Sequence, residues 1–338
     1  MSVLSTLRRT GRKTVASLVA LATAAGVLVA GGGVAQAQDN RGWLRPGCSW
    51  DGVGYWVQRC EVWSESMGRN ITVQVQPAQR GGNAGLYMLD GLRATEYTNA
   101  WLFDTNAAAQ YVNSNITLVM PVGGTASFYA DWSGPAKYDL GEYVNYKWET
   151  FLTGELPGYL EQHFGVARNN NSILGLSMGA TAALNLAAKH PHQFRQVLAY
   201  SGYLTTTLPG WQTMIRVALL DAGLYNINAM YGSLFSPERF KNDPFLNMDG
   251  LRGKDVYVSA ATGIPGPADQ KYLPKDQFAG AALEFVSRIS TNTWATKARA
   301  QGIQFAEDYP AVGLHNWDNF ADQMRKTQGR VLDVMNAH

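Results

Sequence analysis

Apolar and polar residues alternate over residues 55–64 and again over 70–76, where Ile71, Val73 and Val75 share one side. Period-two alternation marks half-buried strands. The two stretches predict an N-terminal antiparallel hairpin. Farther along, the pattern changes. Residues 86–89, 117–120, 173–174, 197–200, 256–260 and 303–306 are short apolar runs without a polar face. Strands covered on both faces look like this. Between them lie helical stretches: 147–163 around Trp148, Phe151 and Leu152, with Pro157 as a candidate break; an Ala- and Leu-rich segment after residue 177; residues 277–300; and a C-terminal helix. Strands alternating with helices predict a mostly parallel, doubly wound α/β sheet. Residues 205–250, with scattered Gly, Pro, Asn and Met, read as an irregular insertion over the site that such a sheet presents.

The first 37 residues stand apart. Arg8, Arg9, Arg12 and Lys13 precede an uncharged apolar stretch, residues 15–30, and then Ala35-Gln36-Ala37. Basic, apolar, small-x-small is the order of a secretory signal peptide. The expected division is therefore a signal over 1–37 and a single domain over 38–338. No later apolar run is long enough to cross a bilayer, so an integral membrane protein is not expected. The signal holds four of the 28 basic residues and none of the 26 acidic ones. The rest of the chain is close to neutral and offers nucleic acid no electrostatic footprint. Cys48 and Cys60 are too far apart for a C-x-x-C site. In an exported chain, two cysteines predict one disulfide.

Chemistry concentrates at Gly175-Leu176-Ser177-Met178-Gly179, which follows the apolar run at 173–174 and opens the Ala-rich helix. Strand, G-x-S-x-G, helix is the nucleophile elbow of the α/β-hydrolase fold. Ser177 is the expected nucleophile, and the Met178 N–H faces any oxyanion that forms. A second N–H comes from the loop after the third strand in such folds. Here that loop is Asp90-Gly91-Leu92-Arg93, which makes Leu92 the donor. Of the five histidines, His190 and His192 end the helix far from the elbow, His163 precedes the nucleophile strand, and His338 is terminal. His315, in the loop after the last strand, occupies the place of the base. Two acids compete to orient it: Asp269, in the loop after residues 256–260, and Glu284, in the helix that follows. Their residue types and positions leave the two open. Such chemistry uses no metal and no cofactor.

The runs Leu89-Asp-Gly-Leu-Arg-Ala94, Val119-Met-Pro-Val-Gly-Gly124, Ser127-Phe-Tyr-Ala-Asp-Trp132, Tyr146-Lys-Trp-Glu-Thr-Phe151 and Gly175-Leu-Ser-Met178 resemble the antigen 85 mycolyltransferases and their corynebacterial-type relatives, over roughly residues 45 to 330. The resemblance implies a secreted enzyme in the cell envelope of a mycolic-acid-containing bacterium. It would move mycoloyl groups from trehalose monomycolate to a second such molecule or to cell-wall glycan or glycolipid acceptors. The family's Phe-Leu-Glu matches Ala282-Leu283-Glu284, so the resemblance selects Glu284 as the acid. Its His-Ser-Trp matches His315-Asn316-Trp317, and its Leu-Arg matches Leu92-Arg93. Asp90, Arg93, Asn316 and Trp317 are thereby implied to contact substrate. The chain departs from the family in its elbow, where Gly179-Ala180 replaces Ala-Gly, and in Thr205, which stands where the family has a sugar-contacting aspartate. A secreted carboxylesterase with the same serine, histidine and acid, and with water as the acceptor, is the other reading.

Overall fold

The computed structural model describes residues 41–139, 141 and 143–338, and the expected signal segment lies outside them. The expected hairpin is β2 (Gln58–Ser64) and β3 (Arg69–Gln76), paired antiparallel from Gln58 opposite Val75 to Ser64 opposite Arg69. A short strand not foreseen from the sequence, β1 (Cys48–Trp50), adds to its outer edge. The apolar runs become β4 (Ala84–Leu89), β5 (Ile116–Pro121), β6 (Asn171–Leu176), β7 (Phe194–Tyr200), β8 (Asp255–Ser259) and β9 (Ala306–Asp308). Among the described residues these form one nine-stranded sheet in the order β1-β2-β3-β5-β4-β6-β7-β8-β9. Every pair from β5 to β9 is parallel. This is the doubly wound α/β-hydrolase architecture with an antiparallel hairpin at its N-terminal end.

The helices are α1 (Ala100–Asp104), α2 (Ala107–Gln110), α3 (Trp148–Thr150), α4 (Leu156–Phe164), α5 (Met178–Lys189), α6 (Trp211–Gly223), α7 (Ile227–Tyr231), α8 (Pro237–Lys241), α9 (Pro274–Ala300) and α10 (Trp317–Met335). Alternate residues of the central strands feed two separate cores. Ile173 and Val197 pack on the α5 side, while Leu174 and Leu198 pack with Phe320, Met324 and Val331 of α10. A strand buried on both faces needs apolar residues at every position, which is why these runs lacked alternation.

Three details differ from expectation. Pro157 does not break the helix over 148–164. It lacks an N–H for the carbonyl four residues back, and the preceding turn, Phe151–Glu155, widens to π-helical. Ile303 does not start the last strand. Gly302 turns left-handed at φ 71°, and the Ile303 N–H returns to Ala298 O, so Ile303 is the buried residue that closes the α9 terminus. The segment 205–250 is not irregular throughout. It carries α6, of which only Ile215 and Leu219, four residues apart, are buried.

Candidate active site

Ser177 sits between β6 and α5 with φ 51° and ψ −119°, a conformation that non-glycine residues rarely adopt. Close packing holds it there. A Cβ on Gly175 would lie 2.1 Å from Gly179 O, and one on Gly179 would lie 2.5 Å from Asp90 O. Both glycines are steric necessities. Gly179 lets the start of α5 press against the end of β4, beside the loop that begins at Asp90. The Ser177 N–H is tied to Tyr200 O at 2.9 Å. Its side chain opens into a cavity of about 750 Å³ together with Leu92, Arg93, Met178, His315 and Trp317.

The N–H groups of Leu92 and Met178 meet no acceptor among the described residues. These are the two amides expected to meet an oxyanion. The Met178 side chain is anchored separately, since its Sδ accepts from the Phe128 N–H at 3.2 Å. Asp90 is buried, and both its oxygens accept backbone N–H groups, from Gly91 and Ala100, each at 2.9 Å. Burial pushes its carboxyl up to about 6, against the pull of those two bonds. Arg93 lies at the cavity rim and pairs with Asp221 of α6, each side chain being about two-thirds exposed.

Nδ1 of His315 lies 2.9 Å from Glu284 Oε2. Glu284 Oε1 accepts from Ser201 Oγ at 2.7 Å, from Ala261 N at 2.7 Å and from Asn319 Nδ2 at 3.2 Å. A carboxylate surrounded by donors acts as acceptor only. The proton between it and the imidazole therefore resides on Nδ1, which leaves Nε2 free to take another. Of the two acids that the residue types left open, Glu284 is the one bonded to His315. Asp269 faces away, accepting from Asn316 Nδ2 at 2.6 Å and from Gly266 N at 2.8 Å. Asn316 also caps α10 through its Oδ1, so both ends of its side chain are committed within the protein although it lines the cavity. Trp317 lines the same wall, edge-on to Trp101 and Phe320. None of the other four histidines lines the cavity: His190 pairs with Glu149, His163 packs on Tyr159, His338 pairs with Asp333, and His192 lies in the turn between α5 and β7.

Much of the remaining lining comes from α6, with Trp211, Met214, Ile215, Val217 and Ala218 beside the polar Thr213 and Asp221. Ser201, Asn319 and Asp221 were not foreseen. Ser201 is left-handed, at φ 50°, and nothing in a Tyr-Ser-Gly triplet announces that. Asn319 had a weak signal, an asparagine three residues into a helix opened by another asparagine. No described helix is long and apolar enough to cross a membrane.

The family model described as "Putative esterase" matches residues 64–331. The chain is 34% identical over 282 residues to diacylglycerol acyltransferase/mycolyltransferase Ag85C of Mycobacterium leprae, covering 83% of this chain and 82% of that protein. It is 37% identical over 316 residues to diacylglycerol acyltransferase/mycolyltransferase Ag85A of Mycobacterium tuberculosis, covering 93% and 88%. Among solved structures, MPT51 of Mycobacterium tuberculosis superposes with a TM-score of 0.72 at 26% identity, over 82% of this chain and 98% of that one. An S-formylglutathione hydrolase from Agrobacterium tumefaciens, 15% identical, shares the fold at a TM-score of 0.61, over 87% and 100%.

Proposed function

The chain belongs to the esterase family and, within it, to the Ag85 mycolyltransferases, and on that premise we propose that it is an exported serine acyltransferase of the cell envelope. Its donor is trehalose monomycolate. Its acceptor is a second trehalose monomycolate or a sugar hydroxyl of the cell-wall arabinogalactan. The observation that carries the reading is that Ser177, His315, Leu92 and Met178 line one cavity, the last two with backbone N–H groups that meet no acceptor among the described residues, while Glu284 holds His315 Nδ1. The basic and apolar N-terminal segment supports export.

His315 Nε2 takes the Ser177 proton as Oγ attacks the mycoloyl ester carbonyl. The oxyanion is held by the N–H groups of Leu92 and Met178. Collapse of the intermediate breaks the bond to the trehalose oxygen, which leaves with the proton from His315. The second sugar hydroxyl then gives its proton to His315 and attacks the acyl-serine, restoring Ser177. Glu284 stabilises the imidazolium in both halves and keeps its tautomer. Trp317 and Arg93, at the mouth, are placed to hold a sugar. Asp90 acts beneath them, fixing the loop that carries Leu92.

The test is the product formed from trehalose monomycolate by purified enzyme and by Ser177→Ala. Trehalose dimycolate from the wild type and none from the variant is the expected result. Free mycolic acid as the sole product, with acceptor present, would make it an esterase.

A further inference from the structure

We propose that Asn319 is a positioning residue that clamps the acid Glu284 to the loop carrying the base His315. This rests on the serine, histidine and glutamate reading above. Asn319 does not line the cavity. Its Nδ2 lies 3.2 Å from Glu284 Oε1 and 3.2 Å from Leu314 O, the carbonyl immediately before His315. An amide nitrogen has two protons, so both bonds form together. One side chain thus spans from the acid to the residue preceding the base.

The far side of the clamp is anchored too. The Asn319 N–H donates to Asn316 Oδ1 at 3.1 Å. Asn316 Nδ2 donates to Asp269 Oδ1 at 2.6 Å, and Asp269 Oδ2 accepts the Gly266 N–H. Asp269 and Asn316 are therefore the struts of the clamp. The remaining bonds do a different job. Ser201 and Ala261 fix Glu284 to the ends of β7 and β8. The bond from the His315 N–H to Gly280 O holds the loop against α9, without touching the carboxylate. Among the described residues, only Asn319 sets the carboxylate of Glu284 and the backbone beside His315 against each other, apart from the bond between the two side chains themselves. Catalytic geometry tolerates little slack.

The experiment measures kcat and KM for a soluble p-nitrophenyl ester in wild type, Asn319→Ala and Asn319→Asp, with melting temperatures. Alanine removes the bond. Aspartate keeps the volume and sets an acceptor against Glu284 Oε1. Aspartate cannot donate to Glu284 and also sets a like charge against it, so it should be the harsher change, and the alanine variant carries the test of the lost bond. The expected result is a kcat roughly 10- to 100-fold lower in Asn319→Ala and lower still in Asn319→Asp. KM should stay within about twofold in both. If the aspartate variant does not fold, Asn319→Leu replaces it, with kcat expected to fall as in the alanine variant. Unchanged kcat in Asn319→Ala or Asn319→Leu, a loss confined to KM, or aspartate milder than alanine overturns the inference. Ser177→Ala and Glu284→Gln are measured alongside. If either keeps wild-type activity, the underlying reading falls. If both are inactive while Asn319→Ala is unimpaired, only the clamp falls.

Discussion

Glu284 is fully buried and meets donors from Ser201, Ala261, Asn319 and His315, whereas Asp269 holds Gly266 and Asn316. In Glu284→Gln, the amide nitrogen must face a donor whichever way the side chain turns. The histidine then loses its tautomer or the carboxamide loses its anchor. A drop in kcat of roughly 10³- to 10⁴-fold is expected, as for removal of a buried acid behind a catalytic histidine. Asp269→Asn should lose less than about tenfold, because it acts only through Asn316. Steady-state kinetics of both, with folding checked by circular dichroism, tests the order, and a crippled Asp269→Asn beside an active Glu284→Gln would reverse the assignment.

Asp90 has a pH signature of its own. Its carboxyl is raised by burial from 3.8 to about 6 in the folded chain. Between those values the folded state binds more proton than the unfolded one, so stability falls as pH rises through that window. The full loss, above about pH 6, is on the order of 3 kcal/mol. Asp90→Asn lacks this dependence. Melting temperatures of the two proteins should therefore converge or cross as pH rises from about 4 to about 6, then run parallel. A constant difference across the range would mean that Asp90 does not titrate there.

At the scale of elements, the elbow and the N-terminal hairpin differ in how they are held. The elbow needs no cross-link, since Gly175 and Gly179 permit contacts that any side chain would prevent. At 179 the carbonyls of Leu89 and Asp90 leave no room for a methyl group. The hairpin edge is held covalently. Cys48 stands directly opposite Cys60 in the β1–β2 ladder, and the two are disulfide-bonded, as expected for two cysteines in a chain read as exported. β1 has only three residues, with an exposed Trp50. Propensity alone could not reveal it, because the cross-link and the ladder of β2 hold it in place. Closing so small a loop should stabilise the fold by about 2–3 kcal/mol. The Cys48→Ser/Cys60→Ser double variant should lose that much in urea unfolding while keeping kcat, because the bridge is remote from Ser177. Unchanged stability would show that the edge strand is held without it.

At the scale of the whole molecule, the cavity is assembled from segments far apart in sequence: the loop after β4, the elbow, α6, α9 and the start of α10. Apart from Thr213 and Asp221, the residues that α6 turns to the cavity are apolar, yet Val217 remains 61% exposed. In a lone protein that is an unfavourable surface, and an acyl chain lying along it would cover it. Val217→Asp should leave the fold intact, since the residue is already in solvent. It should lower kcat/KM for a long-chain p-nitrophenyl ester about 10- to 100-fold relative to the acetate ester, the cost of setting a charge beside the chain. An unchanged ratio would mean that the acyl chain leaves by another path.

The order of strands and helices was legible in the chain, and so were the elbow at Ser177 and the loop position of His315, because each depends on local pattern. Two-sided burial leaves its mark on every strand residue, the elbow needs glycines at set spacings, and only one of five histidines lies in the loop between the last strand and the last helix. The disulfide was legible because two cysteines have one pairing. That Glu284 rather than Asp269 meets His315 could be expected only through the resemblance. Physically, Glu284 and Asp269 are both carboxylates after the same strand, and only the turn of α9 brings one of them to Nδ1 of His315. The left-handed Ser201, the reach of Asn319 to Leu314, the pairing of Arg93 with Asp221 and the covering position of α6 follow from contacts between segments distant in sequence. Such contacts leave no periodic trace, because each depends on the path of a loop rather than on the residues within it.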